Sequence, residues 1–324
     1  MNTELETHVE LKDLEPSKSR FRAEILRGLR KSQKELPSKY LYDEQGSQWF
    51  DRITQLEEYY PTRTETTIME NSIHEMVDII GPNALLIEYG SGSSVKTRTL
   101  LDHLNNPAGY VPIDISREHL MASAEQIRSE YPGLEVLPVC ADYTLSFDIP
   151  ESSTPPAKRV VYFPGSTIGN FDPVPAQHFM EEIATVCGPG GALMIGVDLK
   201  KVPVVLHNAY NDHEGVTAAF NLNLLERINR ELDGDFQIEH FKHYAFYNPL
   251  KGRIEMHIIS LKEQIVHIDG VSVPFENGES IWTESSYKYN LKEFAELAET
   301  AGFEVDHVWT DDREWFSVQY LTAV

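Results

Sequence analysis

One pattern constrains this chain more than any other: from Ala84 onward, short apolar runs alternate with stretches of helical periodicity. Ala84-Leu-Leu-Ile-Glu-Tyr-Gly ends in a Gly-rich turn, helical spacing covers Lys96–Leu104, and a second apolar run is Gly109-Tyr-Val-Pro-Ile-Asp114. A helix over Ser116–Glu130 then leads to a strand at Glu135–Val139. Arg159–Phe163 reads as a strand ending in Pro164-Gly165-Ser166, and a helix over Pro175–Val186 passes through Gly188-Pro-Gly-Gly to a strand at Ala192–Val197. Strands alternating with helices at these spacings call for right-handed crossovers and a parallel sheet.

The flanks differ. Upstream, Ser17–Lys34 and Thr66–Ile80 have helical spacing and enclose an aromatic-rich stretch from Tyr40 to Tyr60. Beyond Val197 the alternation breaks. One long helical segment, about Asn208–Leu232, is followed by strand-like stretches at His243–Tyr247, Arg253–Leu261 and Glu263–Val271. This reads as an insertion with its own small sheet. The pattern resumes with a helix over Tyr289–Ala301 and strands at Glu304–Trp309 and Phe316–Thr322. A parallel sheet closed by an antiparallel hairpin is the layout of a class I S-adenosylmethionine (SAM) methyltransferase, a Rossmann-like α/β fold. A dinucleotide dehydrogenase lacks the antiparallel final strand. The expected division is a SAM-binding domain at 61–197 and 288–324, and an α+β substrate-binding domain at 1–60 and 198–287.

Charge narrows the partners. Against 51 Asp and Glu the chain has 28 Lys and Arg, a net charge of −23. Such a surface repels phosphate backbones and anionic lipid, so neither nucleic acid nor membrane is an expected partner. No apolar run approaches the roughly 18 residues of a membrane helix, and the acidic start MNTELETHVELKDLEP lacks the apolar core of a secretion signal. Cys140 and Cys187 have no C-x-x-C partners, which fits a reducing cytoplasm and two small buried hydrophobes. His240 and His243, or His207 and His213, carry no metal-binding motif, and surface positions are expected; no metal is expected.

The turn Glu88-Tyr-Gly90-Ser-Gly92-Ser-Ser94 follows a strand and opens a helix, and its glycines let a ligand approach the backbone. The third glycine of a dinucleotide fingerprint is missing, and alone this is an ordinary strand–helix turn. Two further strand ends strengthen it. Asp114, 24 residues past Gly90, is placed to accept ribose hydroxyls, and Asp142 to accept an adenine amino group, with Tyr143 beside the ring. The three form an adenosyl site at the carboxyl edge of a sheet. Lys96, in the first helical turn, suits the SAM carboxylate or is a solvated surface lysine.

The chain resembles the ergothioneine-pathway histidine Nα-methyltransferase family through nearly its whole length. Matching stretches include Leu41-Tyr42-Asp43 with Phe50-Asp51, Glu58-Tyr59-Tyr60-Pro61-Thr62-Arg63-Thr64-Glu65, Gly165-Ser-Thr-Ile-Gly-Asn170, Ala209-Tyr210, Gly215–Asn221, Arg253-Ile-Glu-Met256, and Thr283-Glu284 with Ser286. The resemblance implies SAM-dependent trimethylation of the L-histidine α-amine to hercynine, the first step of ergothioneine biosynthesis, with S-adenosyl-L-homocysteine as by-product and a monomeric enzyme. It implies SAM on Gly90, Lys96, Asp114, Asp142 and Tyr143. It places Asn170 and Tyr210 on the substrate carboxylate, Tyr59 and Tyr42 near the amine as the catalytic pair, Gly165 and Phe50 along the pocket, Glu284 and Ser286 on the imidazole, and Met256 beside the ring.

Other readings stand beside these. Asn170 fits a helix cap, Glu284 and Ser286 a solvated sheet face, Met256 a core position, and the Phe220 stripe of Val216–Leu232 domain packing. The alternative substrate is another amino acid or an aromatic amine such as a tryptophan derivative, and the alternative enzyme class a nicotinamide-dependent oxidoreductase; a non-catalytic SAM-binding module is a further reading.

Overall fold

The computed structural model describes residues 11–14, 17–92 and 95–324. Ser93 and Ser94 of the glycine turn, and the first ten residues on which the reading of a leader rests, lie outside them.

The alternating region forms an eight-stranded sheet. Its order is Lys12–Leu14, Val139–Ala141, Gly109–Asp114, Ala84–Tyr89, Lys158–Phe163, Ala192–Asp198, Phe316–Ala323 and Phe303–Thr310. The pairings are parallel except those of Phe316–Ala323, which runs antiparallel to both neighbours. The fold is therefore a class I SAM methyltransferase sheet with its terminal antiparallel hairpin. Every residue of Ala84–Tyr89 and Ala192–Asp198 is buried, as strands covered on both faces require. Two apolar clusters fill those faces: one holds Ile87, Ile113, Phe163, Phe179 and Phe294, the other Met69, Met76, Tyr110, Tyr162 and Phe316.

The chain builds outward from Ala84–Tyr89 to Val139–Ala141, then returns to place Lys158–Phe163 on the other side of Ala84–Tyr89. That reversal opens a crevice at the carboxyl ends of those strands, where α/β sheets bind ligands.

A four-stranded sheet holds Lys34–Glu35, Ser280–Tyr287, Arg253–Ser260 and Phe241–Asn248 in that order. A third apolar cluster joins it to both flanking segments, from Phe21 through Tyr40, Tyr59 and Tyr60 to Leu206, Phe220, Ile228 and Ile281.

Several elements depart from the sequence reading. The strand expected at Glu135–Val139 is Val139–Ala141, because Pro138 has no N–H to give a ladder. The expected helix Asn208–Leu232 is two helices, Pro203–Ala209 and Val216–Leu232. The second starts afresh because the Asp212 carboxylate accepts the N–H groups of Val216 and Thr217, each at 2.8 Å. Glu263–Val271 is the start of a hairpin, Gln264–Ile268 with Val271–Phe275, turning at Asp269-Gly270. Helix Glu44–Ile53, capped by Asp43, was not anticipated. His243 is not a surface residue: it is buried, within 2.9 Å of both the Tyr210 carbonyl and the Asn221 amide.

Candidate active site

The crevice contains a cleft of about 950 Å³ reached by Gly90, Gly92, Asp114, Asp142 and Tyr143, with Ser38, Lys39 and His119 on its wall. Gly90 has φ +73°, which only glycine adopts freely, and a Cβ there would lie 3.9 Å from the Tyr143 ring. Asp114 orders the turn it faces: its carboxylate accepts the Gly92 N–H at 3.0 Å and the Ser116 N–H at 2.9 Å.

Asp142 is more engaged than its sequence position suggests. It accepts from Lys39 Nζ at 2.9 Å and from the Thr144 hydroxyl and N–H at 2.5 and 3.1 Å. Lys39 also pairs with Glu24 at 2.8 Å. The sequence reading missed Lys39, because nothing in a 103-residue separation marks the contact.

Lys96 is not a free surface lysine. Its ammonium pairs with Glu65, a fully buried carboxylate that also accepts the Gly165 N–H at about 3 Å. Glu65 thereby ties the glycine-turn helix to the Pro164–Asn170 loop. Glu88 turns away from the cleft and takes the hydroxyls of Thr97 and Tyr110. Burial pushes its carboxyl up to about 7, against the lowering effect of those hydroxyls.

A second cavity of about 480 Å³ adjoins the first. Its walls include Tyr42, Phe50, Tyr59, Gly165, Asn170, Tyr210, Met256, Glu284 and Ser286, so every residue assigned to the substrate from sequence faces one space. Tyr42, Phe50, Thr167 and Asn170 border both cavities. Phe220 also lines the second one, although its helical stripe read as domain packing.

Local structure explains the convergence. Phe50 sits on helix Glu44–Ile53, and Asn170 ends a 3-10 turn, Thr167–Asn170, packed on strand Ser280–Tyr287. On that strand Glu284 lies opposite Met256, after a register shift that begins at Trp282. Alternation then puts Glu284, Ser286 and Lys288 on one face.

The cavity is aromatic at one end. Tyr42 stands edge-on to Phe50 and Phe220 with ring centroids 5.5 and 5.4 Å away, and Tyr59 to Phe50 and Tyr210 at 6.3 Å each. Burial holds the Tyr42 and Tyr59 phenols well above their ordinary pKa, with further upward pushes from Glu284 on Tyr42 and Tyr210 on Tyr59. Both are O–H groups at neutral pH. Burial likewise raises the Glu284 carboxyl to about 7, with Lys288 pulling the other way. Glu284 Oε2 is buried without a hydrogen-bond partner among the described residues. An orphaned carboxylate oxygen at a cavity wall is an acceptor awaiting a donor.

The family model for histidine-specific, SAM-dependent methyltransferases matches residues 21–323. The chain belongs to that family. It is 41% identical over 298 residues to the histidine N-alpha-methyltransferase of Mycolicibacterium smegmatis, covering 90% of this chain and 91% of that protein. It is 32% identical over 302 residues to ergothioneine biosynthesis protein 1 of Neurospora crassa, covering 87% of this chain and 32% of that protein. Among solved structures, magnesium protoporphyrin IX methyltransferase from Synechocystis with bound SAH shares 11% identity, with a TM-score of 0.46 over 87% of this chain and 95% of that one. For a family member the larger cleft fits SAM: two carboxylates, Asp114 and Asp142, line it and the Tyr143 ring lies against the glycine turn, whereas Lys96 is not on its lining and lies beside Gly165, a wall residue of the smaller cavity.

Proposed function

We propose that this enzyme transfers methyl groups from SAM to the α-amine of L-histidine, up to hercynine, opening ergothioneine biosynthesis. The observation that carries the reading is Glu284: a buried carboxylate with an unpaired oxygen, on the wall of a cavity that borders the cofactor cleft. An imidazole N–H supplies the missing donor, and an apolar side chain does not.

In this reading Gly90, Lys96, Asp114, Asp142 and Tyr143 hold the cofactor, with the residues of 61–197 and 288–324. The segments 1–60 and 198–287 supply most of the substrate's contacts, with Gly165 and Asn170 reaching in from 61–197, although Lys12–Leu14 pairs into the large sheet. Bound there, SAM supplies an electrophilic methyl carbon on a sulfonium. The amine must meet it as a neutral lone pair, so positioning and exclusion of water do most of the work. Asn170 and Tyr210 take the carboxylate, Glu284 and Ser286 the imidazole, and Met256 packs beside the ring. Tyr42 and Tyr59, protonated throughout, orient the amine and relay its proton outward; neither is a phenolate base. Once a tertiary amine has no N–H to hold, the substrate stays gripped through its other groups. The faces of Tyr42, Phe50, Tyr59 and Phe220 suit a growing alkylammonium. Gly165 leaves room at the loop.

The test is incubation with SAM and a mixture of the standard amino acids, read by product mass. Histidine gaining three methyl groups, with no other amino acid altered, is the expected result. Methylated tryptophan or tyrosine instead would overturn the role given to Glu284 and Ser286. Glu284→Ala should lower kcat/KM for histidine by about 10²-fold or more and admit apolar aromatic amino acids, since sites built on a required hydrogen bond discriminate strongly. Unchanged histidine kinetics in that variant would remove Glu284 from the site.

A further inference from the structure

Behind Ser286 and Tyr210 lies a buried charge network that the reaction described above does not use. The Lys288 ammonium is almost wholly enclosed. It donates to Asp198 Oδ2 at 2.7 Å, to Ser286 Oγ at 2.8 Å and to Tyr210 Oη at 3.2 Å. An ammonium has three N–H donors and no acceptor, so these contacts use its full capacity. Asp198 is also fully buried and is held on its other side by Lys201 at 2.5 Å and by the Tyr60 hydroxyl at 2.8 Å. Burial pushes the Asp198 carboxyl up, and the two lysines more than offset it, so it stays ionised.

The direction of these bonds matters. Ser286 Oγ accepts from Lys288 and also from the Tyr210 hydroxyl at 2.8 Å. Its two lone pairs are then taken, and its own O–H is the one group left to offer. Tyr210 Oη accepts from Lys288 as well, so its hydrogen too is available; without a ligand it goes to Ser286. The serine and tyrosine assigned from sequence to opposite ends of the substrate are therefore in direct contact, joined through one lysine.

We propose that Lys288, anchored by Asp198, is a positioning residue: by filling one lone pair on each of Ser286 and Tyr210 it turns both hydroxyl hydrogens away from itself and toward the substrate. Resting on the histidine reading, this deepens it. When Tyr210 turns its hydrogen to the substrate carboxylate, one Ser286 lone pair is released, and the Lys288 N–H still holds the other. Ser286 presents its hydrogen to a bare ring nitrogen, while Glu284 accepts the N–H of the other. An imidazole held in this way is neutral and in one tautomer, and a ring lacking the bare nitrogen leaves the Ser286 hydrogen unsatisfied.

The experiment titrates histidine, and the two pyrrolylalanine isomers that keep one ring N–H but have no bare nitrogen, into SAH-saturated protein by calorimetry. In the parent enzyme both isomers should bind at least about tenfold more weakly than histidine, the scale of a buried donor left unmade. Lys288→Met should weaken histidine and bring the ratio to histidine close to one, with SAH affinity unchanged. Lys288→Met leaves Asp198 paired with Lys201, so the buried pair that remains is charge-balanced, and Lys288→Leu provides a second donor-free variant with the same expected ratio. Ser286→Ala leaves the ion pair intact and should collapse the ratio equally. A parental ratio retained in either Lys288 variant overturns the proposal, as does a loss of SAH binding in step with histidine, the mark of a purely structural role. Failure of the parent to bind histidine would instead strike the functional reading beneath it.

Discussion

At the scale of single residues, the site keeps a carboxylate where no carboxylate is comfortable. Glu284 ionises at about 7 in the folded protein instead of 4.5, chiefly because burial penalises its charge. The unfolded chain gives up this proton first. Stability therefore falls as pH rises from about 4.5 to about 7 and this contribution is constant above. Glu284→Gln removes that loss. In thermal melts of the ligand-free protein the variant should match the parent near pH 4.5 and exceed it at pH 8, by at most about 3 kcal/mol, while histidine turnover drops. A difference that does not change with pH would show that the carboxyl is not strained by burial. Glu88 titrates in the same range but is present in both proteins and cancels. This residue was legible in the sequence through its motif. Its burial was not, because alternation along Ser280–Tyr287 fits a solvated face as well as a pocket wall.

At the scale of elements, the smaller cavity is assembled where the 3-10 turn Thr167–Asn170 meets strand Ser280–Tyr287. A Cβ on Gly169 would come within 2.7 Å of the Tyr287 carbonyl oxygen and 3.1 Å of its nitrogen. Both are backbone atoms that cannot step aside. Gly169→Ala should push Asn170 away from Glu284 and Ser286, lower stability by about 1–3 kcal/mol, and raise KM for histidine more than KM for SAM. Equal effects on both would mean that the turn serves general packing and not the substrate. The sequence showed Gly165–Asn170 as a motif at a strand end. It did not show that a strand more than a hundred residues later lies against it, since no local property encodes that register. The same limit hid the break at Tyr210–Gly215: the helical period continues through it, and a side-chain cap from Asp212 decides where the second helix begins.

At the scale of the whole molecule, a net charge of −23 is spread over one chain, and self-repulsion destabilises a compact state. Raising ionic strength from a few millimolar to about 0.15 M, where the screening length is about 8 Å, should raise Tm. A fall would mean that the paired charges, such as Lys39 with Asp142 and Glu24, outweigh the repulsion. The sequence by itself determined the parallel sheet, its closing hairpin, the three strand ends that meet at one cleft and the family, because periodicity, turn residues and long motifs are local and survive without coordinates. The tertiary structure alone decided that Lys39 meets Asp142, that Lys96 is tied to Glu65, and that Lys288 stands behind Ser286 and Tyr210. Those contacts join residues between 2 and 103 positions apart, and a charged side chain read in sequence is by default a solvated one. Only burial against a particular partner turns it into part of a site.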